Sequence, residues 1–186
     1  MNTPLKTAPP LNVIDWLNTD TPITLDGLRG KVVVIEAFQM LCPGCVSHSL
    51  PQAMKVSQIF SSQDVAVIGL HTVFEHHAAQ GTRTALEAFI HEYRLTFPIG
   101  IDAPSNNGDI PKTMSTYRMR GTPTLILIDR QGRLRKSSFG GVDDLALGAE
   151  IMALVMENEP SSLPADNDDD QATVGCDDNG CALPQQ

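Results

Sequence analysis

Residues 31–38 read Lys31-Val-Val-Val-Ile-Glu-Ala-Phe38, a β-branched run without the apolar–polar alternation of a half-exposed strand. Such a run is a strand buried on both faces, as in a central or parallel strand. Val65-Ala-Val-Ile-Gly-Leu70 and Thr124-Leu-Ile-Leu-Ile128 are two more. Asp129-Arg-Gln-Gly132 turns the last of these into a fourth strand, Leu134 to Phe139, as an antiparallel hairpin. Helical periodicity falls between the strands. Val46, Leu50, Ala53, Met54 and Phe60 follow it over 43–60, with Pro51 expected to bend or restart the helix. Leu86, Phe89, Ile90 and Tyr93 form one stripe over 82–94. Asp143 or Asp144 can cap a final helix to about Glu157. Residues 11–28, with a turn at Asp26-Gly27, suggest a small hairpin, and Phe97-Pro98-Ile99 a short edge segment. The order predicts an α/β fold with a central mixed sheet flanked by helices.

The composition, 41% hydrophobic and 19% charged over 186 residues, is that of a folded domain. That domain spans 11–159, between a flexible Pro-rich lead-in at 1–10 and an acidic tail at 160–186, expected to be disordered. The formal charge is −9, from 13 Lys+Arg and 22 Asp+Glu. The tail holds six Asp and no Lys or Arg, so −9 less −6 leaves −3 for residues 1–159. That balance argues against nucleic acid and anionic lipid as partners. No apolar run approaches the roughly 18 residues of a membrane span. Residues 1–17 lack the pattern of an export signal, so the expected location is cytoplasmic, or periplasmic if a signal has been removed.

The four cysteines form two close pairs, Cys42/Cys45 and Cys176/Cys181. Cys42-Pro43-Gly44-Cys45 directly follows a buried strand and opens a helix. Unpaired N–H groups and the helix dipole favour an anion there, which lowers a thiol pKa. Cys42, at the entry, is the exposed attacker, and Cys45, one turn in, resolves the mixed disulfide. Pro43 suits the first helical position. Structural zinc needs four ligands, and no second C-x-x-C exists.

Two further features agree. Gly121-Thr122-Pro123-Thr124 puts a proline at a strand entrance, where a cis bond is plausible. Glu36 is the lone carboxylate of an apolar strand, on the side of Val32, Val34 and Phe38. Buried, it would have a raised pKa and could exchange protons with Cys45.

Val33-Val-Ile-Glu-Ala-Phe, Cys42-Pro-Gly-Cys45 and Tyr117-Arg-Met-Arg-Gly-Thr-Pro-Thr-Leu-Ile-Leu-Ile-Asp-Arg-Gln-Gly-Arg133 together resemble the thioredoxin superfamily. More narrowly, they resemble its TlpA/ResA-like thiol–disulfide oxidoreductases and the redoxin group, over about residues 10–158. The resemblance implies a thioredoxin-like fold without a cofactor. Its partners would be protein thiols or disulfides and an upstream redox partner. It makes Cys42 the nucleophile, Cys45 the resolving cysteine and Pro123 the cis-proline. Thr122 would offer backbone hydrogen bonds to an extended substrate, and Glu36 would be the buried acid. Leu41 stands where the family usually has Trp. Pro51 lies six residues after Cys45 where five is usual, so a bulged helix is expected. Peroxiredoxins have Thr or Ser three residues before their cysteine and a Pro farther back, where this chain has Gln39 and Ile35. A thiol peroxidase is thus the alternative, together with a non-catalytic binding or metal-carrier module.

Cys176-Asp-Asp-Asn-Gly-Cys181 closes a six-residue loop that could form a local disulfide and act as a second redox pair. Asp166, Asp168 and Asp170 imitate a calcium loop, but Gln171 and Asp177 stand where Gly and Glu belong. His71, Glu75, His76 and His77 are expected to be surface residues and not a metal site.

Overall fold

The structure, a computed structural model, describes residues 6–106 and 108–157 and the strand backbone of 176–177 and 180–181. The apolar run forms β2 (Val32–Phe38), and all seven of its residues are buried. β2 lies inside a six-stranded sheet. The order is β1 (Val13–Leu17), β4 (Ile99–Asp102), β3 (Val65–His71), β2, β5 (Thr124–Ile128) and β6 (Leu134–Phe139). β2 pairs parallel with β3, Val32 beside Val65 through Phe38 beside His71. It pairs antiparallel with β5, Glu36 beside Leu125. β3–β4 is parallel, and β1–β4 and β5–β6 are antiparallel, so the sheet is mixed.

Double burial of β2 follows from packing on both faces. On one, α1 (Leu50–Ile59), α3 (Arg83–Tyr93) and α5 (Asp144–Met156) set Leu50, Val56, Leu86, Ile90, Leu147 and Ile151 against Val32, Val34, Phe38, Val67 and Leu125. On the other, Met114 of α4 (Lys112–Thr116) joins Tyr117, Met119 and Leu25 against Val33, Ile35, Ala37, Ile68 and Ile126. Each such aliphatic side chain removed from water contributes about 1.5–3 kcal/mol, so these two clusters hold the sheet between its layers. Thr82 caps α3 by accepting from Ala85 N–H at 3.2 Å. Asp143 caps α5 by accepting from Leu145 and Ala146 N–H, both at 3.0 Å.

The structure differs from the sequence reading at the sheet's first edge. Residues 11–28 form no hairpin. They contain one strand, β1, which pairs with β4. Asn18 turns the chain away at φ 58°, its amide donating to the carbonyls of Leu95 and Phe97 at 2.8 and 3.1 Å. The Asp26-Gly27 turn belongs to a 3₁₀ turn at Asp26–Leu28. Because β1 takes the outer place, Ile99 begins an interior strand, not an edge. Residues 6–8 bond to the β5–β6 hairpin, Ala8 N–H to Gly132 O and Leu134 N–H to Lys6 O, both at 2.9 Å.

Candidate active site

After β2 the chain runs through Gln39–Leu41 to Cys42, whose N–H donates to Gln39 O at 3.3 Å. Cys42 then opens a helix. Its carbonyl accepts from the N–H groups of Cys45 and Val46, both at 3.1 Å. Its Sγ accepts from the Cys45 N–H at 3.2 Å. The sulfur thus stands where an N-cap oxygen would stand, with Pro43 at the first helical position. A thiolate there gains a hydrogen bond and the positive end of the helix dipole, and both lower the thiol pKa. Cys42 is half-buried and Cys45 is fully buried. The two are joined as a disulfide with Cα atoms 5.2 Å apart.

The expected bulge is present. Cys45–Ser49 is a π turn in which Leu50 N–H reaches Cys45 O, and α1 follows with Pro51 in its first turn. Proline has no N–H to offer the preceding turn, which suits a widened helix at that point.

The Thr122–Pro123 bond is cis. A Cβ on Gly44 would lie 3.4 Å from Pro123 Cδ, so the proline ring rests against the C-x-x-C loop. Gly140 N–H donates to Pro123 O at 2.9 Å, and Thr124 Oγ1 donates to Gly121 O at 2.7 Å, which fixes this loop from β6 and β5. The tertiary structure therefore brings Cys42, Pro43, Gly44, Cys45, Thr122 and Pro123 together.

Glu36 is 1% exposed, and its Oε2 has no hydrogen-bond partner among the described residues. It lies on the face of Val34 and Phe38, whose cluster includes Cys45. Burial pushes its pKa up to about 8. The carboxyl is thus a neutral acid near pH 7, on the same side of the sheet as Cys45.

His71 corrects one expectation. It ends β3 and is buried, with its ring 5.4 Å from that of Phe38 and no partner for Nε2 among the described residues. Burial lowers its pKa to about 4. The strand alternation that points Phe38 inward points its register partner inward too. Glu75, His76 and His77 are exposed. Among the described residues no three His, Cys, Asp or Glu side chains are placed to hold a metal ion.

Two glutamines went unrecognised as site residues. Gln39 and Gln80, each 1% exposed, form a buried amide pair, Gln80 Nε2 donating to Gln39 Oε1 at 3.0 Å. Gln80 Oε1 accepts from the Leu41 N–H at 3.1 Å and so fixes the residue before Cys42. Gln39 Nε2 donates to Thr122 Oγ1 at 3.4 Å and to Glu75 Oε1 at 3.3 Å. The only sequence signal was a polar Gln39 inside the apolar Phe38-Gln-Met-Leu41. Gln80 gave none.

Cys176 lies opposite Cys181 in a two-residue antiparallel ladder, β7 (Cys176–Asp177) with β8 (Gly180–Cys181). The Asp166–Asp170 run lies outside the described residues.

The Redoxin family model matches residues 5–151. The chain belongs to the Redoxin family. Among relatives of this Redoxin chain, the protein DipZ of Mycobacterium bovis is 35% identical over 160 residues, 83% of this chain and 21% of DipZ. The chain thus spans about a fifth of that curated relative's length. The thiol-disulfide oxidoreductase ResA of Halalkalibacterium halodurans is 29% identical over 133 residues, 72% of this chain and 67% of ResA. A thioredoxin-like superfamily protein of known crystal structure is 56% identical, with a TM-score of 0.80 over 83% of this chain and 99% of its own. A thiol-disulfide isomerase from Corynebacterium glutamicum is 48% identical, with a TM-score of 0.77 over 84% of this chain and 98% of its own. The fold of this Redoxin chain is thioredoxin-like, and its C-x-x-C pair is disulfide-forming. No helix among its described residues is long and apolar enough to cross a membrane.

Proposed function

We propose that this chain is a thiol–disulfide oxidoreductase acting on protein partners. The observation that carries the reading is the Cys42–Cys45 disulfide, set at a helix N-terminus and packed against a cis-proline. In the reducing direction, the Cys42 thiolate attacks one sulfur of a partner disulfide. A mixed disulfide forms and the partner's other sulfur leaves as a thiolate. Cys45, deprotonated by Glu36 in the ionised form that grows as pH approaches 8, then attacks Cys42 Sγ and releases the partner's first sulfur. Two electrons pass to the partner, and Cys42–Cys45 is left as the disulfide. The oxidising direction is the reverse. On this reading Thr122 holds an extended partner segment by its backbone, with Pro43, Gly44 and Pro123 shaping the contact. Cys176 and Cys181, opposed in their ladder, would serve as a second dithiol that exchanges with the first.

Thiol trapping and mass spectrometry in defined glutathione buffers test this. A Cys42–Cys45 pair that never equilibrates with the buffer overturns it. A potential near −270 mV marks a reductase suited to a cytoplasmic site, whereas one near −120 mV marks an oxidant of a more oxidising compartment, both orders of magnitude being those of roughly similar C-x-x-C proteins. An unchanged potential and turnover in the Cys176→Ser, Cys181→Ser variant would remove the second pair from the scheme.

A further inference from the structure

The segment between β3 and α3 reaches across to the C-x-x-C loop, and Glu75 is its acidic group there. Gln39 Nε2 holds Glu75 Oε1 on one side and Thr122 Oγ1 on the other, at 3.3 and 3.4 Å. Gln80 Nε2 holds the Glu75 carbonyl at 2.9 Å, so backbone and side chain are both fixed by buried amides. The carboxylate itself is on the surface.

What sets Glu75 apart is its place beside Thr122, with an amide partner and, among the described residues, no cation. Asp15, Asp64, Glu87, Asp144, Glu150 and Glu157 each pair with a Lys or Arg. Glu75 pairs with none among the described residues. Arg120, two positions before Thr122, turns instead to the Phe139 ring, 5.5 Å from its centroid. A carboxylate without a cation is thus held in one place beside Thr122 and the cis-proline. A flexible side chain spends most of its time elsewhere and selects weakly. A positioned one offers a fixed charge to whatever docks beside it.

We propose that Glu75 is a specificity-determining residue that favours partners carrying a Lys or Arg next to the exchanging cysteine, with Gln39 as its positioning residue. The proposal rests on the oxidoreductase reading and names its partner class. An exposed pair of this kind supports a preference of about two- to five-fold. Neighbouring Leu41, 56% exposed, adds an apolar contact that is indifferent to charge.

The test uses the full chain, reduced, with short synthetic peptides joined as symmetric disulfides, the cysteine flanked by Lys, Ala or Glu. Each rate is divided by that of the same peptide with dithiothreitol, which removes intrinsic differences in leaving-group reactivity. The expected result is a lower KM for the Lys-flanked peptide than for the Ala-flanked one, with kcat similar and the preference shrinking in high salt. Glu75→Gln should abolish the preference and leave the Ala-flanked rate within about two-fold, and Glu75→Lys should shift it toward the Glu-flanked peptide. Gln39→Leu should weaken the preference while the Glu75 charge remains. A Lys preference that is absent, or that persists in Glu75→Gln, overturns the proposal while the oxidoreductase reading stands. No exchange with any peptide overturns both.

Discussion

The Cys45 amide donates a hydrogen bond to Cys42 Sγ across 3.2 Å. Cys42 is half-buried, while Cys45 is fully buried. The two cysteines of one motif are therefore unequal before any partner arrives. In the reduced protein Cys42 should alkylate first, with a thiol pKa below the usual value of about 8.5. Cys45→Ser should accumulate a mixed disulfide at Cys42, and Cys42→Ser should accumulate none. Mass spectrometry of acid-quenched samples reads both, and trapping at Cys45 would reverse the assignment.

Glu36 couples stability to chemistry. Its pKa is raised from the ordinary 4.5 to about 8, so the unfolded chain releases this proton at a lower pH than the folded one. Stability from this group is whole below pH 4.5 and is lost as pH rises toward 8. Glu36→Gln removes the titration. It should be more stable than the parent by about 3 kcal/mol at pH 7 and nearly equal to it at pH 4. Its resolution step should slow, while attack by Cys42 changes little. Urea titrations at several pH values and single-turnover exchange check the two halves. Equal stability at all pH values would show that the carboxyl is not carrying the shift.

His71 acts at the other end of the scale. Its pKa is lowered from 6.5 to about 4, because burial disfavours the imidazolium. The folded state therefore loses stability as pH falls from 6.5 toward 4, by about 3 kcal/mol over the full window. His71→Leu should flatten that limb of the stability profile and leave the limb above pH 6.5 unchanged. The two windows overlap, so the opposed slopes nearly cancel between pH 4.5 and 6.5 and these two groups give a shallow maximum near about pH 5.5.

Gly69 sits beside Glu36 in the β2–β3 register. A Cβ there would stand 3.0 Å from both Ile99 Cγ1 and Phe97 Cε2 and 3.2 Å from Phe38 Cε1. All three side chains are buried, so Gly69→Ala should cost about 1–3 kcal/mol from overpacking. Gly44→Ala should cost less, because its Cβ meets only Pro123, at 3.4 Å. Thermal melts of the two variants give the comparison. A Gly44→Ala melt lower than that of Gly69→Ala would contradict the packing read here.

Much of this was legible in the residues alone. The run at 31–38 specified a doubly buried strand, because unbroken Val and Ile must be covered on both faces. The helix-opening position of Cys42, the Asp143 cap and the β5–β6 turn are local, written within a few residues. The inward direction of Glu36 followed from alternation with Val34 and Phe38. What only tertiary structure decided are the relations between distant segments. The pairing of β1 with β4 depends on Asn18 reaching the Leu95 and Phe97 carbonyls. The burial of His71 depends on its register with Phe38. The Gln39–Gln80 pair joins residues 41 positions apart. A buried amide has no periodicity of its own. Its place is fixed by whichever hydrogen-bond partners folding brings to it, because leaving it unpaired would cost more than the pair contributes.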